Sequence, residues 1–488
     1  MAIVGALASG NWSSALVFAT PPASGDTVVA NGKTVTIDVD VNIGSGKIQT
    51  LAAGAFLDGG SFTAAAGRTL SLTANVLAGT TTCLAVSGSV SGTLTGNCDG
   101  SAGTNTLKAG VTFTSSGTLT INGNATGGMG TTSHGVYNNS ASGTINLTGT
   151  VTGGGISGVA GLANNTTGSS NITGNVTGGA AGVGVLITAG TVVITGNCTA
   201  SFNVTSCNLL AAGSLTVNGN VSHVISSALA APAINTTSGG TLVINGNLTA
   251  GDSGSNSNTG LTVVSGLTVT INGTVTANAG GAAGINCASG TVTVNGSINA
   301  AGDRSGINLT STGSLATSGT LTGTITPSST IGTVGVGVSN AGSGSIAYTG
   351  NVVGSSVSGG GNGITMSGAG TCTITGNLTS TANSLALSNS STGLITVNGT
   401  VTAAAFGPGI KRTNTGAVVT TINGGMVGET SVGWPGVIGG QLGKILIGPT
   451  AAQSHSYSTD SGGGTPSTLR ALTIPIFGGT VVRAASNY

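Results

Sequence analysis

Along Thr118–Thr126, TLTINGNAT, the apolar residues Leu119, Ile121 and Ala125 fall on one parity. Thr118, Thr120, Asn122, Asn124 and Thr126 fall on the other. A period of two puts alternate side chains on opposite faces of an extended chain and predicts a strand with one buried face. Close variants of the phrase recur as GTINLTGTVTGG from Gly143, GTLVINGNLTAG from Gly240 and GLITVNGTVTAA from Gly393. The Gly of each phrase serves as a marker, giving Gly96, Gly123, Gly149, Gly174, Gly196, Gly219, Gly246, Gly273, Gly296, Gly319, Gly350, Gly376, Gly399 and Gly424. The intervals run from 22 to 31 residues and average about 25, a period that signals a solenoid.

The residues that fill the phrases are Thr, Val and Ile, which suit strands, while the helix formers Glu, Lys, Gln and Arg are nearly absent. Short strands at this period predict an all-β, right-handed parallel β-solenoid (β-helix) of about three strands per turn, stacked at roughly 4.8 Å. Thirteen marker intervals then predict a rod of roughly 60 Å. A β-sandwich array or a closed antiparallel barrel is the competing fold, but a sandwich wants turns every 8 to 12 residues and a bulkier core. The marker Gly and the Asn beside twelve of the fourteen markers are expected to serve a left-handed corner, and stacked Asn side chains to bond from rung to rung.

Three regions follow. Residues 1–60 carry Trp12, Phe18, Pro21 and Pro22 ahead of a strand-like run, GDTVVANGKTVTIDVDVNIGSG, and are expected to cap the open end of the core and begin the rungs. Residues 61–404 are the repetitive solenoid. Residues 405–488 regain charge and bulk with Lys411, Arg412, Glu429, Lys444, Asp460, Arg470, Arg483, Trp434, Tyr457, Phe477 and Tyr488. That change marks a distinct C-terminal β module, a cap or a site of attachment and oligomerisation.

Composition narrows the chemistry. Gly accounts for 91 of 488 residues, charged residues for 4% and aromatics for 3%. The mean hydropathy of +0.40 opposes the disorder that Gly-rich, highly charged chains show. Ten Lys+Arg against nine Asp+Glu, net +1, disfavour nucleic acid and anionic lipid as partners. No apolar run reaches the length of a transmembrane helix. The first residues lack the basic start and unbroken apolar stretch of a secretory signal, so synthesis and assembly in a cytoplasm are expected.

The cysteines Cys83, Cys98, Cys198, Cys207, Cys287 and Cys372 show no metal-site spacing and read as buried free thiols. The histidines His134, His223 and His455 are scattered, and no metal site, cofactor site or catalytic set is expected. Asp38 and Asp40 share a parity and, with Asp26, could hold a cation, although a solvated strand face explains them better. Asp252 and Asp303 lie six and seven residues past markers two turns apart. Stacking would bring them to roughly 10 Å, at or beyond the upper end of the spacing of an inverting glycosidase. Polar loop tips are the better reading, and the chain is expected not to be an enzyme.

From Ser9 to Gly46, SGNWSSALVFATPPASGDTVVANGKTVTIDVDVNIGSG resembles the start of repetitive β-solenoid proteins among bacteriophage structural proteins and some bacterial surface proteins. In those proteins a GNW phrase leads to GDTV and VTID. The TINGNVT-like phrases resemble the same proteins over most of the chain. The resemblance implies a virion protein such as a tail fibre, tailspike or capsid decoration, commonly a homotrimer, with identical subunits, other virion proteins and cell-surface glycans as the partners it implies. The acidic, aromatic-lined groove of glycan-cleaving tailspikes has no counterpart in the phrases. Two other classes compete. A secreted adhesin or surface-array protein would need an export route, and a polysaccharide-cleaving spike would need Asp252 and Asp303.

Overall fold

The computed structural model describes residues 2–49 except 32, then 61–64, 69–77, 84–86, 89, 91–100, 109–129, 133–155, 159–180, 182–200, 206–209, 212–223, 232–237, 239–250, 259–263, 266–277, 283–301, 307–309, 314–318, 321–324, 338–353, 362–379, 386–402, 410–412, 419–423, 426–427, 437–438, 444–447 and 457–458. All the regular structure among these residues is strand. The strands pair in parallel with partners about 25 residues away, which is a β-solenoid and neither a sandwich nor an antiparallel barrel. The chain forms two compact units, one of Met1–Ser226 with Ala233–Gly246 and the other of Ser227–Pro232 with Asn247–Tyr488.

In the first unit one coil contains a long strand Thr118–Asn122, a short strand Ala125–Thr126 beyond the corner, and a third strand Val136–Asn138. The next coil repeats it as Thr144–Thr148, Val151–Thr152 and Leu162–Asn164. Register is strict, with Leu119 over Ile145, Ile121 over Leu147, Ala125 over Val151 and Val136 over Leu162. The inward positions are therefore columns of Val, Ile, Leu and Ala, and Ile121, Ile145, Val151 and Leu162 are wholly buried. Each such aliphatic side chain contributes about 1.5–3 kcal/mol relative to exposure. Every coil also closes the backbone hydrogen bonds of its neighbours, so stability accumulates coil by coil without aromatic anchors.

The second unit follows the same plan. Leu248–Ala250 pairs with Val275–Ala277, Thr268–Ile271 with Thr291–Val294, and Ser345–Thr349 with Thr371–Thr375. Parallel pairing runs on past residue 405. Ile410–Arg412 lies beside Leu387–Asn389, Lys444–Ile447 beside Val419–Ile422, and Tyr457–Ser458 beside Val437–Ile438. Met426–Val427 lies beside Val401–Thr402, and apart from these strands and Asn423 the region 405–488 lies outside the described residues.

Pairing begins at the third residue. Ile3–Gly5 sits in register with Thr27–Val29, and Gly10–Asn11 with Val35–Thr36, so the stretch that carries Trp12 already takes part in the parallel stack. Trp12 packs edge-on against Phe18 with ring centroids 5.0 Å apart. Phe18 joins Ala6, Val17, Val28, Val35, Ile37 and Ile43 in one buried cluster.

The corners correct one expectation. A Cβ on Gly123 would meet the Gly96 carbonyl oxygen at 2.1 Å, and one on Gly399 would meet that of Gly376 at 2.0 Å. The stacked corner of the preceding coil leaves no room for a side chain, and this close approach demands Gly; Gly96, Gly149, Gly174, Gly196, Gly350 and Gly376 also have φ between 141° and 152°, so the Gly half of the expectation holds at these corners. Left-handed Asn is not the reason: Asn31, with φ 53°, is the one non-Gly residue of positive φ among the described residues. It lies in the turn where Lys33 N–H donates to the Ala30 carbonyl at 3.0 Å.

Candidate functional surface

Outward positions stack as strictly as inward ones. On the long strands Thr118, Thr144, Ser169, Thr191 and Ser214 form one column, and Asn122, Thr148, Thr173 and Thr195 another. On the short strands Thr126, Thr152, Thr177, Thr199 and Ser222 align. In the second unit Ser345 aligns with Thr371, Thr349 with Thr375, and Thr379 with Thr402. No Asp, Glu, Lys or Arg occurs among the described residues between Ala109 and Ile410. This surface is mainly hydroxyl and amide rows, interrupted by residues such as Val193, Val243 and the exposed Leu394, and among the described residues it has no fixed charge.

The corner Asn residues form the expected ladder, in two parts. The Asn after the marker Gly accepts, through Oδ1, the backbone N–H one coil on. Asn124 N–H donates to Asn97 at 2.8 Å and Asn197 N–H to Asn175 at 2.9 Å, and Asn75, which follows Ala74, accepts Asn97 N–H in the same way at 3.0 Å. Asn377 N–H donates to Asn351 at 2.9 Å in the second unit. The Asn before the Gly pairs side chain to side chain, as where Asn245 Nδ2 donates to Asn218 Oδ1 and Asn295 Nδ2 to Asn272 Oδ1, both at 2.7 Å.

A second Asn system lies inside, at the last position of the third strand. Asn164 Nδ2 donates to the carbonyls of Thr166, Gly168 and Ala189 at 3.0, 3.2 and 2.6 Å, and its Oδ1 accepts from Ser170 Oγ at 3.0 Å. Asn138, Asn340 and Asn389 are buried at the equivalent place and also bond into the turn that follows. These side chains tie the turn down before the next long strand begins. The available signal was a Gly four or five residues after the Asn, in NNSASG, NNTTG, SNAGSG and SNSSTG.

The candidate acids do not form a described site. Asp252, Asp303, Cys83 and His455 lie outside the described residues. Asp26, Asp38 and Asp40 each bridge different segments. Asp26 accepts the N–H of Ala2 at 2.8 Å and of Ala23 at 2.9 Å, Asp38 accepts Ser13 N–H at 3.0 Å, and Asp40 accepts Ser71 N–H at 3.0 Å. The bond from Ala2, then that from Ala23, holds the Asp26 carboxyl below its usual range. Among the described residues no group of three or more His, Cys, Asp or Glu side chains could hold a metal ion.

Cys98, Cys198, Cys207, Cys287 and Cys372 are buried and free, as expected. Burial pushes the Cys372 thiol up to about 12 and that of Cys287 to about 11.

His223 is only 2% exposed, and neither ring nitrogen has a hydrogen-bond partner among the described residues. It faces inward in register with Ala200, and burial lowers its pKa to about 4. The fold favours the neutral ring, so its contribution is complete above the unfolded value of about 6.5 and is lost as pH falls from there toward 4. Denaturant unfolding at pH 7 and pH 4.5 is expected to differ by about 2–3 kcal/mol on account of His223, and His223→Leu should remove that part. His134, which accepts Ala160 N–H through Nδ1 at 2.9 Å, is also lowered by burial, so the informative quantity is the difference between wild type and variant. Equal pH dependence in both would contradict the assignment.

The fold and this surface define a β-solenoid repeat protein. Comparison of the chain with protein-family models, with curated proteins and with solved structures finds no match.

Proposed function

We propose that the chain is a non-enzymatic structural protein of bacteriophage virions, a tail fibre, tailspike or capsid decoration that assembles with identical subunits. The observation that carries the reading is the set of uncharged Thr, Ser and Asn columns held in register over an aliphatic core. Such a surface offers many equivalent hydrogen-bonding groups and little electrostatic preference, which suits tiling beside identical neighbours and weak, multivalent contact with cell-surface glycans. The resemblance of Ser9–Gly46 to phage structural proteins supports the same class. In this reading residues 405–488 or the N-terminal segment attach the protein to other virion components, a trimer is the favoured assembly, and the virion is its location.

Particles purified from a lysate of the source cells test the reading. The chain should be present in fixed stoichiometry and be labelled by antibody on the particle exterior, and the purified protein should sediment at three times 45.7 kDa. Particles that lack the chain would overturn it. So would polysaccharide hydrolysis that disappears in Asp252→Asn and Asp303→Asn variants, because the proposal gives those residues no catalytic part.

A further inference from the structure

Cys198 opens a short strand and Cys207 opens the third strand of the same coil. Their sulfurs lie 3.4 Å apart, both side chains are wholly buried, and the Cys198 thiol also lies 3.7 Å from the Ser206 carbonyl oxygen. Other coils place aliphatic residues at these two positions. Ala125 and Val136, Val151 and Leu162, and Val176 and Val185 occupy the columns that lead to Cys198 and Cys207. Cys98 stands in the same short-strand column, but its coil has Val111 on the third strand. Cys287 and Cys372 sit in other columns beside Leu309 and Ile395. The coil of Cys198 and Cys207 alone, among the described residues, carries a cysteine at both positions.

We propose that Cys198 and Cys207 are an oxidative modification site, a dithiol that a small-molecule disulfide converts to an intracoil disulfide. Bringing the sulfurs from 3.4 Å to a bond length of about 2.05 Å needs a shift that two side chains share. One cysteine, as thiolate, attacks a sulfur of glutathione disulfide, forming a mixed disulfide and releasing one glutathione thiolate. The other then attacks the protein-side sulfur of that mixed disulfide and releases the second glutathione. The protein loses two electrons and two protons, and one glutathione disulfide becomes two glutathione thiols.

The hydrogen bond with Cys198, together with burial, pushes the Cys207 thiol well up, so the closed coil holds a neutral pair and reaction proceeds through transient opening. Closure would pin the passage between two strands of one coil. A chain made under reducing conditions would acquire the link on reaching an oxidising medium.

The test is a thiol count after denaturation of protein first held in glutathione disulfide, in buffer and at a urea concentration below its unfolding transition. The six cysteines should give four free thiols, with Cys198 and Cys207 joined in the peptide map. Cys198→Val and Cys207→Val, which install the aliphatic residue of sister coils, should each keep all five of their thiols, whereas Cys98→Val and Cys372→Val should still lose two. Reduction by dithiothreitol should run at least tenfold slower in buffer than in denaturing urea. Six persisting thiols, a stable glutathione adduct, or a loss of thiols unaffected by Cys198→Val would each overturn the proposal.

Discussion

Gly149→Ala is expected to destabilise its coils by about 3–5 kcal/mol, the sum of overpacking and an unfavourable backbone. The added methyl carbon would lie 2.2 Å from the Gly123 carbonyl oxygen, 2.6 Å from its carbon and 3.0 Å from Asn124 Oδ1. None of these can retreat, since Gly123 N–H bonds to the Thr148 carbonyl and Asn124 Oδ1 accepts Thr150 N–H. Gly149 also has φ 149°, a region that side chains disfavour. Gly266 provides the contrast, because a Cβ there meets nothing within 4 Å, and Gly266→Ala should stay within about 0.5 kcal/mol of wild type. Urea unfolding followed by circular dichroism measures both. A Gly149→Ala protein as stable as the Gly266→Ala protein would remove the steric account of the corners.

Asn164→Ala is expected to cost about 2–4 kcal/mol, because it leaves carbonyls of the following turn and the Ser170 hydroxyl without their buried partner. Asn164→Leu should be no better, since the loss is of hydrogen bonds and not of volume. Asn171, one coil face away, donates through Nδ2 to Asn146 Oδ1 at 2.9 Å from an exposed position. Asn171→Ala should therefore cost less than about 1 kcal/mol. Equal effects at Asn164 and Asn171 would mean that the interior Asn does not organise its turn. Hydrogen exchange at Gly168, whose N–H donates to the Ser140 carbonyl, reads the same turn directly and should quicken in Asn164→Ala.

The long strands and their stacking were legible because a solenoid turns sequence period into spatial column. Leu119 and Ile121 alternate with Thr118 and Thr120, and the same alternation returns one coil later at Ile145 and Leu147. Three features were hidden for identifiable reasons. The third strand, VYN or LAN, is too short to show alternation, and its last residue is a buried Asn where a polar residue reads as surface. The corner Gly answers to a carbonyl of another coil, some 25 residues away, as well as to its own positive φ at corners such as Gly149, so local turn chemistry suggested only part of the cause. The approach of Cys198 to Cys207 depends on how one coil closes across its interior, which no period records. The neutral surface, by contrast, follows directly from composition, since the described long strands have almost nothing but Thr, Ser, Asn, Ala and Val to present outward.

Residues one repeat apart in sequence are next neighbours in space. Spin labels on the exposed positions Asn122, Thr148, Thr173 and Thr195, introduced two at a time through cysteine, measure it by dipolar coupling. Separations from Asn122 are expected to grow by about 4.8 Å per coil, reaching roughly 14 Å at Thr195. Separations that do not rise in equal steps from Thr148 to Thr173 to Thr195 would contradict it.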